Sequence, residues 1–320
     1  AQAAATTVRM AQRITNRSVV LVPEIIDPQK LAVMKNYAES VIKFEKVKAT
    51  AQGTIDLDDL KAKLNDDVIG MYFENPNYLG VIEPNGQAIS DAVHAAGGLS
   101  LVGIDPISLG VLATPPTYGA DIVCGDLQPL GIHMFYGGGQ SGFMATTDDE
   151  KFVMEFPSRL FGIAPTSEPG EYGFGDVAYD RTSFGHHREH GKEYVGTQSA
   201  LWGITAGVYL ATMGPQGMAE VDELIMANAQ YAAKKLSEIP GIKVNPFGSV
   251  FFKEFVVDFT ETGKTVEEIN KALLAKGIFG GKDLSKEFPN LGQSALYCVT
   301  EVHVKEDLDT LAAAIAEVIK

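Results

Sequence analysis

The sequence predicts an α/β domain built on a mostly parallel sheet, followed by a smaller α+β unit, and three observations predict it. Short apolar or β-branched runs alternate with amphipathic segments through the first half of the chain, as crossover connections between parallel strands require. Three of these runs end in polar turn residues, Glu74-Asn75-Pro76-Asn77, Asp105-Pro106 and Asp126-Leu127-Gln128. Sheets of this kind bind ligands at the carboxyl ends of their strands. Beyond about Gly217 the order changes to helix, strand, helix, strand, helix. The expected division is therefore 1–217 for the large domain and 218–320 for the small one.

Taken in order, residues 1–15 are helical by propensity, with apolar positions at Ala5, Val8, Met10 and Ala11. Ala1 cannot cap them, so they read as a helix whose beginning precedes the sequence. Residues 17–22 are a buried strand ended by Pro23, and Pro28 opens a helix to about Ser40 with Leu31, Met34, Tyr37 and Ala38 on one face. Residues 44–49 are a second strand. Asp56, Asp58 and Asp59 then start a helix that closes on Lys61 and Lys63, the charge order that the helix dipole favours. Residues 68–73 and 99–104 are the third and fourth strands, separated by a helix over 87–96 that stops at Gly97-Gly98. A fifth strand covers 121–124, and residues 142–145 form a return strand after Gly137-Gly138-Gly139. Residues 161–197 show no periodicity and read as a functional or interface arm. A long apolar helix follows from 197 to 213 and is stopped by Gly214-Pro215. The small unit then has helices at 218–237, 266–276 and 306–319 and strands at 251–258 and 295–299.

Composition narrows the function. With 320 residues, 45% of them apolar and 21% charged, the chain can bury a sizeable core. A net charge of −15 argues against nucleic acid or an anionic membrane as partner. No window approaches the roughly 20 apolar residues of a membrane span. Cys124 and Cys298 lie in apolar runs and read as buried thiols in a reducing, cytoplasmic compartment.

The stretch 118–151 anchors the chemical reading. No lysine or arginine lies between Lys63 and Lys151, so this stretch has no amine nucleophile, and its cations must come from elsewhere. Asp105 at a strand end could meet a ring nitrogen or a cation, or could cap the turn that starts at Pro106. Asp126 and Gln128 stand at ligand height, or serve as turn residues. The glycine run could present backbone N–H groups to an anion, or make a tight turn. His186, His187 and His190 form the densest cluster, but Gly185 and Gly191 bracket it and no third ligand follows at metal spacing, so no metal site is expected.

Several segments carry a family resemblance. Residues 73–83, FENPNYLGVIE, resemble the PNF-x-G-x-[IV]-E segment of the glycine decarboxylase P-protein of the glycine cleavage system, in its N-terminal half or alpha subunit (subunit 1). Residues 105–110, DPISLG, are similar to its DP-x-SL, and GADIVCGDLQPLG at 119–131 to its GADIV-x-G-[ED]-x-QSLG. Tyr136-Gly137-Gly138 resembles its [FY]GGP, and Val299-Thr300-Glu301 its VTE.

The resemblance implies a fold type I architecture of the kind that binds pyridoxal phosphate (PLP). The PLP-bearing half of the family carries a His-Lys pair where this chain has Gln128-Pro129, so the chain is expected to lack the Schiff-base lysine. It is expected to be the non-PLP alpha subunit of a heterotetramer with a beta subunit (subunit 2), working with the lipoyl H-protein. Candidate site-supporting or interface residues are Asp105, Asp126, Gln128, His133, Tyr136, Gly137, Gly138, Arg188 and His190. The family's REKATSN appears here as residues 188–194, REHGKEY, which leaves open a substrate other than glycine. The resemblance also implies a preceding N-terminal part. Rival readings are a homodimeric PLP lyase or aminotransferase using another lysine, such as Lys192, and an inactive scaffold subunit.

Overall fold

The computed structural model describes residues 1–134, 141–157, 160–177 and 199–320. The large sheet contains β1 (Val19–Pro23), β2 (Lys43–Val47), β3 (Val68–Asn75), β4 (Leu99–Ile104), β5 (Ile122–Asp126) and β6 (Gly142–Thr146), in the order β2-β1-β3-β4-β5-β6. The first five run parallel and β6 closes the edge antiparallel. All of β3 except its last residue is buried, as a central strand covered on both faces must be.

Strand periodicity sends alternate residues into two cores. Val20, Val22 and Tyr72 pack with α1 (Gln2–Thr15) and α2 (Pro28–Ala38) on one face. Leu21, Met71 and Phe73 pack with α3 (Leu57–Lys63) and α4 (Gly86–Ala95) on the other. Local chemistry starts these helices. Asp27 caps α2 by accepting from Gln29 N at 2.9 Å, with Pro28 in the first turn, and Asp56 caps α3 by accepting from Asp58 N and Asp59 N at 3.0 and 3.1 Å.

After the short α5 (Glu150–Val153), the stretch expected to be without elements contains a hairpin, β7 (Leu160–Pro165) paired with β8 (Tyr172–Val177). Glycines interrupt its alternation, and Phe161, Ile163, Tyr172 and Phe174 face outward, with Phe161 and Phe174 stacked at 5.5 Å. The usual burial signal is therefore absent from the sequence. Helix α6 (Ala200–Ser237) breaks at Gly214, whose φ of 63° and ψ of 177° lie outside the helical region, just before Pro215.

The second half of α6, with α7 (Val266–Leu274) and α8 (Lys305–Val318), covers an antiparallel sheet. Its strands are β9 (Lys243–Val244), β10 (Glu254–Asp258), β11 (Lys282–Asp283) and β12 (Ser294–Cys298), in the order β11-β12-β10-β9. Cys298 departs from expectation. Ala295, Tyr297 and Val299 point into the core, and strand alternation leaves Cys298 exposed, while Cys124 is buried.

The loop after β3 joins the two sheets. Ile82 N donates to Val250 O at 2.9 Å and Phe252 N to Gly80 O at 3.3 Å. Gly80 has φ +87°, and a Cβ there would lie 1.9 Å from the Glu254 carbonyl oxygen. Only glycine permits that approach.

Candidate functional site

The site is the carboxyl edge of the large sheet, where three polar groups stand side by side. At the end of β3, Glu74 is 7% exposed, accepts the Tyr72 hydroxyl at 2.8 Å and pairs with the Lys30 ammonium from α2. Burial alone would lower the Lys30 pKa, but the neighbouring Glu74 carboxylate raises it above its ordinary value. Burial, with Glu74 adding to it, also holds the Tyr72 phenol well above its usual range.

Beyond β4, Asp105 plays both parts left open by the sequence. It caps the turn at Pro106–Gly110, accepting from Ile107 N at 3.3 Å, and it forms an ion pair with Lys253, just before β10. Both side chains are mostly buried, at 16% and 19% exposure. Burial opposes the Lys253 charge, but Asp105 and Glu254 raise its pKa on balance.

The same turn meets α6 through Gly110, whose N–H donates to Asp222 Oδ2 at 2.6 Å. Asp222 is fully buried, and its Oδ1 has no hydrogen-bond partner. Burial, with Asp105 and Glu301 adding to it, pushes its pKa up to about 7.

After β5, Asp126 Oδ1 accepts Gln128 N at 2.8 Å, and Gln128 Nε2 donates to Ile132 O at 3.2 Å. Both side chains thus shape their own loop. Leu130 and Ile132 anchor that loop in an apolar cluster with Ile107 and Met218. His133 is exposed. Tyr136, Gly137, Gly138, Arg188 and His190 lie outside the described residues, as do the rest of the histidine run and Lys192.

On the other side of β3, the buried Glu83 accepts from Ile55 N at 2.7 Å and Asn85 N at 3.0 Å. A cavity of about 10 Å³ lies between Pro23, Ile55, Glu74 and Glu83. It has room for a single water.

The structure therefore brings Asp105, Asp126 and Gln128 to one edge. Sequence reasoning placed Glu74 at this edge but missed Lys30, Lys253 and Asp222. The absence of any cation between Lys63 and Lys151 was the available signal, because it required lysines to arrive from other segments. Chemically, this edge can hold charge and shape a surface. An imine needs a neutral amine, and Lys30 and Lys253 are both ammonium ions held by carboxylates. Among the described residues of this edge, neither Lys30 nor Lys253 offers a free amine for a PLP imine. Among the described residues no cluster is arranged for a metal ion, and no helix is long and apolar enough to cross a membrane.

Comparison with known proteins places these features in a family. Residues 1–315 match the family described as Glycine cleavage system P-protein. The chain is 38% identical over 320 residues to a probable glycine dehydrogenase (decarboxylating) subunit 1 of Pyrococcus furiosus, covering 99% of this chain and 69% of the relative. It is 36% identical over 322 residues to the protein of that name from Staphylothermus marinus, covering 100% and 68%. A crystal structure of glycine decarboxylase (P-protein) in inhibitor-bound form superposes with a TM-score of 0.89 at 33% identity, over 99% of this chain and 69% of that one. A NifS-like protein shares the fold at 13% identity, with a TM-score of 0.71. The architecture is fold type I, and the chain belongs to the glycine cleavage system P-protein family, in the lineage of its subunit 1 members.

Proposed function

We propose that this chain is the subunit of a glycine dehydrogenase (decarboxylating) that carries no Schiff-base lysine, and that it completes the site of a PLP-bearing subunit 2. The observation that carries this reading is the Asp105–Lys253 pair together with Gln128-Pro129 in the loop after β5. An acid placed to meet a ring nitrogen is already neutralised by this chain's own lysine. The names of the relatives support the reaction.

In that reaction glycine loses its carboxyl group as CO2, with PLP supplying the electron sink in the enzyme. The aminomethyl group passes to a lipoyl disulfide on the H-protein. One sulfur takes the group and the other becomes a thiol, so the carrier is reduced and the enzyme is an oxidoreductase. This chain's part is to hold the neighbouring surface in place. Lys30, Glu74, Asp105 and Lys253 fix the charges of the edge, and the Asp126–Gln128 loop shapes it. We further propose a cytoplasmic heterotetramer of two copies of each subunit.

The test is to combine the purified chain with subunit 2 and lipoyl H-protein and to follow labelled CO2 released from carboxyl-labelled glycine. Release that requires both subunits supports the proposal. Full activity of subunit 2 alone contradicts it, and so does activity of this chain alone.

A further inference from the structure

We propose that the outer face of the first half of α6, residues 200–213, is the surface on which subunit 2 docks, and that it receives a helix of that chain which is itself free of charge. The inference deepens the proposed function and rests on it for the existence of subunit 2.

The sequence of this half-helix is at odds with its exposure. From Ala200 to Ala219 there is no charged residue, yet Leu201, Ile204 and Val208 are 65%, 63% and 61% exposed and Leu210 is 42% exposed. The opposite side is the covered one, where Ala206 is buried and Trp202, Tyr209 and Met213 pack with it. Beyond the break at Gly214 the same helix follows the ordinary pattern. There Glu220, Glu223 and Lys234 face solvent, while Ile225, Ala229 and Leu236 are buried. A helix without a charged face is normally covered on all sides. The first half is therefore built to be covered, and the second half is not.

The face also has a shape. Helical periodicity sets Gly203 and Gly207 between Leu210 on one flank and Ile204 and Val208 on the other. Nothing stands within 4 Å of a Cβ placed at either glycine. One turn apart, the two glycines leave a groove between apolar walls, and a ridge of side chains from a second helix fits such a groove.

Size, chemistry and position identify the occupant. A bilayer does not fit, because the half-helix is about 21 Å long against a hydrocarbon core of about 30 Å, and it lacks the charged face of a helix that lies on a membrane. Four apolar side chains exposed to this degree present on the order of 400 Å². A stable interface buries roughly 800 Å² on each partner, a little over half of it apolar, so the patch is the right size for the centre of a permanent contact. On its inner side, Trp202 and Tyr209 pack with Leu127, Leu130 and Ile132 of the loop after β5, and a Cβ at Gly131 would lie 2.8 Å from the Tyr209 ring. The half-helix is thus the outer wall of the loop that shapes the site edge. A chain whose site is completed by that edge meets this face as it arrives. A second copy of this chain would instead bring together two molecules of net charge −15, which repel.

The experiment measures the Kd between the purified chain and subunit 2 by calorimetry, with circular dichroism and the Tm of each variant alone as the check on folding. Ile204→Asp puts a charge on the face and is expected to weaken binding about tenfold or more. Gly203→Leu combined with Gly207→Leu fills the groove and should weaken binding to a similar extent. Leucine favours a helix more than glycine does, so this second variant should melt no lower than the unmodified chain. An unchanged Kd in both variants overturns the proposal and leaves the proposed function standing. Two other results do the same: self-association of this chain that Ile204→Asp abolishes while binding to subunit 2 persists, and binding to phosphatidylcholine vesicles that is lost in the same way. If the unmodified chain does not bind subunit 2, the proposed function falls and the docking proposal falls with it. Tight binding through this face without release of CO2 from glycine contradicts the proposed function alone.

Discussion

The Lys253 ammonium lies against the Asp105 carboxylate, joining the head of β10 in the small sheet to the end of β4 in the large one. The pair fixes how the two sheets meet at the candidate site. It also engages Asp105, an acid that could otherwise have faced a ring nitrogen. Cutting one partner leaves the other charge mostly buried and alone, which costs far more than the pair itself contributes.

Lys253→Met should therefore lower stability by about 2 kcal/mol, measured by urea unfolding. Adding Asp105→Asn should recover part of the loss, because no lone charge then remains. If the two losses simply add, the residues are not coupled.

Asp222 makes a prediction about pH. Burial, reinforced by Asp105 and Glu301 and opposed by Lys253 and the Gly110 N–H, raises its carboxyl from 3.8 to about 7. The folded chain thus keeps a proton that the unfolded chain gives up. Its contribution is complete below about pH 4 and is lost as pH climbs through about 7. Asp222→Asn should flatten the stability profile over that window and exceed the unmodified chain at pH 8 by on the order of 2 kcal/mol. Parallel profiles for the two proteins would show that Asp222 is not the group responsible.

At Gly80 the backbone is in the left-handed region and the Glu254 carbonyl oxygen stands where a Cβ would be. Gly80→Ala is expected to cost about 3 kcal/mol or more and to loosen the loop after β3 from β10, seen as a lower Tm and faster amide exchange at Ile82 and Phe252. Exchange unchanged at those two amides would contradict the packing described.

The two thiols should separate cleanly. Cys298 is exposed, with its Sγ 3.6 Å from Glu254 Oε1, and Cys124 is buried; burial pushes Cys124 up to about 11, and burial with Glu254 adding to it pushes Cys298 up to about 12, so access and not thiolate content separates the two. A maleimide should label Cys298 in the native protein and Cys124 only after unfolding, as peptide mapping would show. Native labelling at Cys124 would mean that the core around β5 opens.

The parts of the fold that were legible in the sequence are those with local causes. Strands β3 and β4 are long buried runs, and Pro28 and Asp56 open α2 and α3 where the first-turn N–H groups are free. The hairpin of β7 and β8 was not legible, since exposed apolar side chains and interspersed glycines give no burial pattern. Cys298 was misread because an apolar run was taken as buried throughout, although β12 turns every second residue outward. At the site, Asp105, Asp126 and Gln128 were legible as strand-end residues. Lys253, Lys30 and Asp222 were not, because their contacts join segments far apart in sequence and no local spacing records them. The two-residue strands β9 and β11 are too short to carry a period.

The central claim is that the PLP imine of this enzyme forms on the partner chain. The most direct measurement is borohydride reduction of the assembled two-subunit enzyme with PLP bound, followed by peptide mapping of both chains. The account predicts a reduced PLP adduct on one lysine of subunit 2 and none on this chain. A stoichiometric adduct on any lysine of this chain, Lys30, Lys253 and Lys192 included, would contradict it.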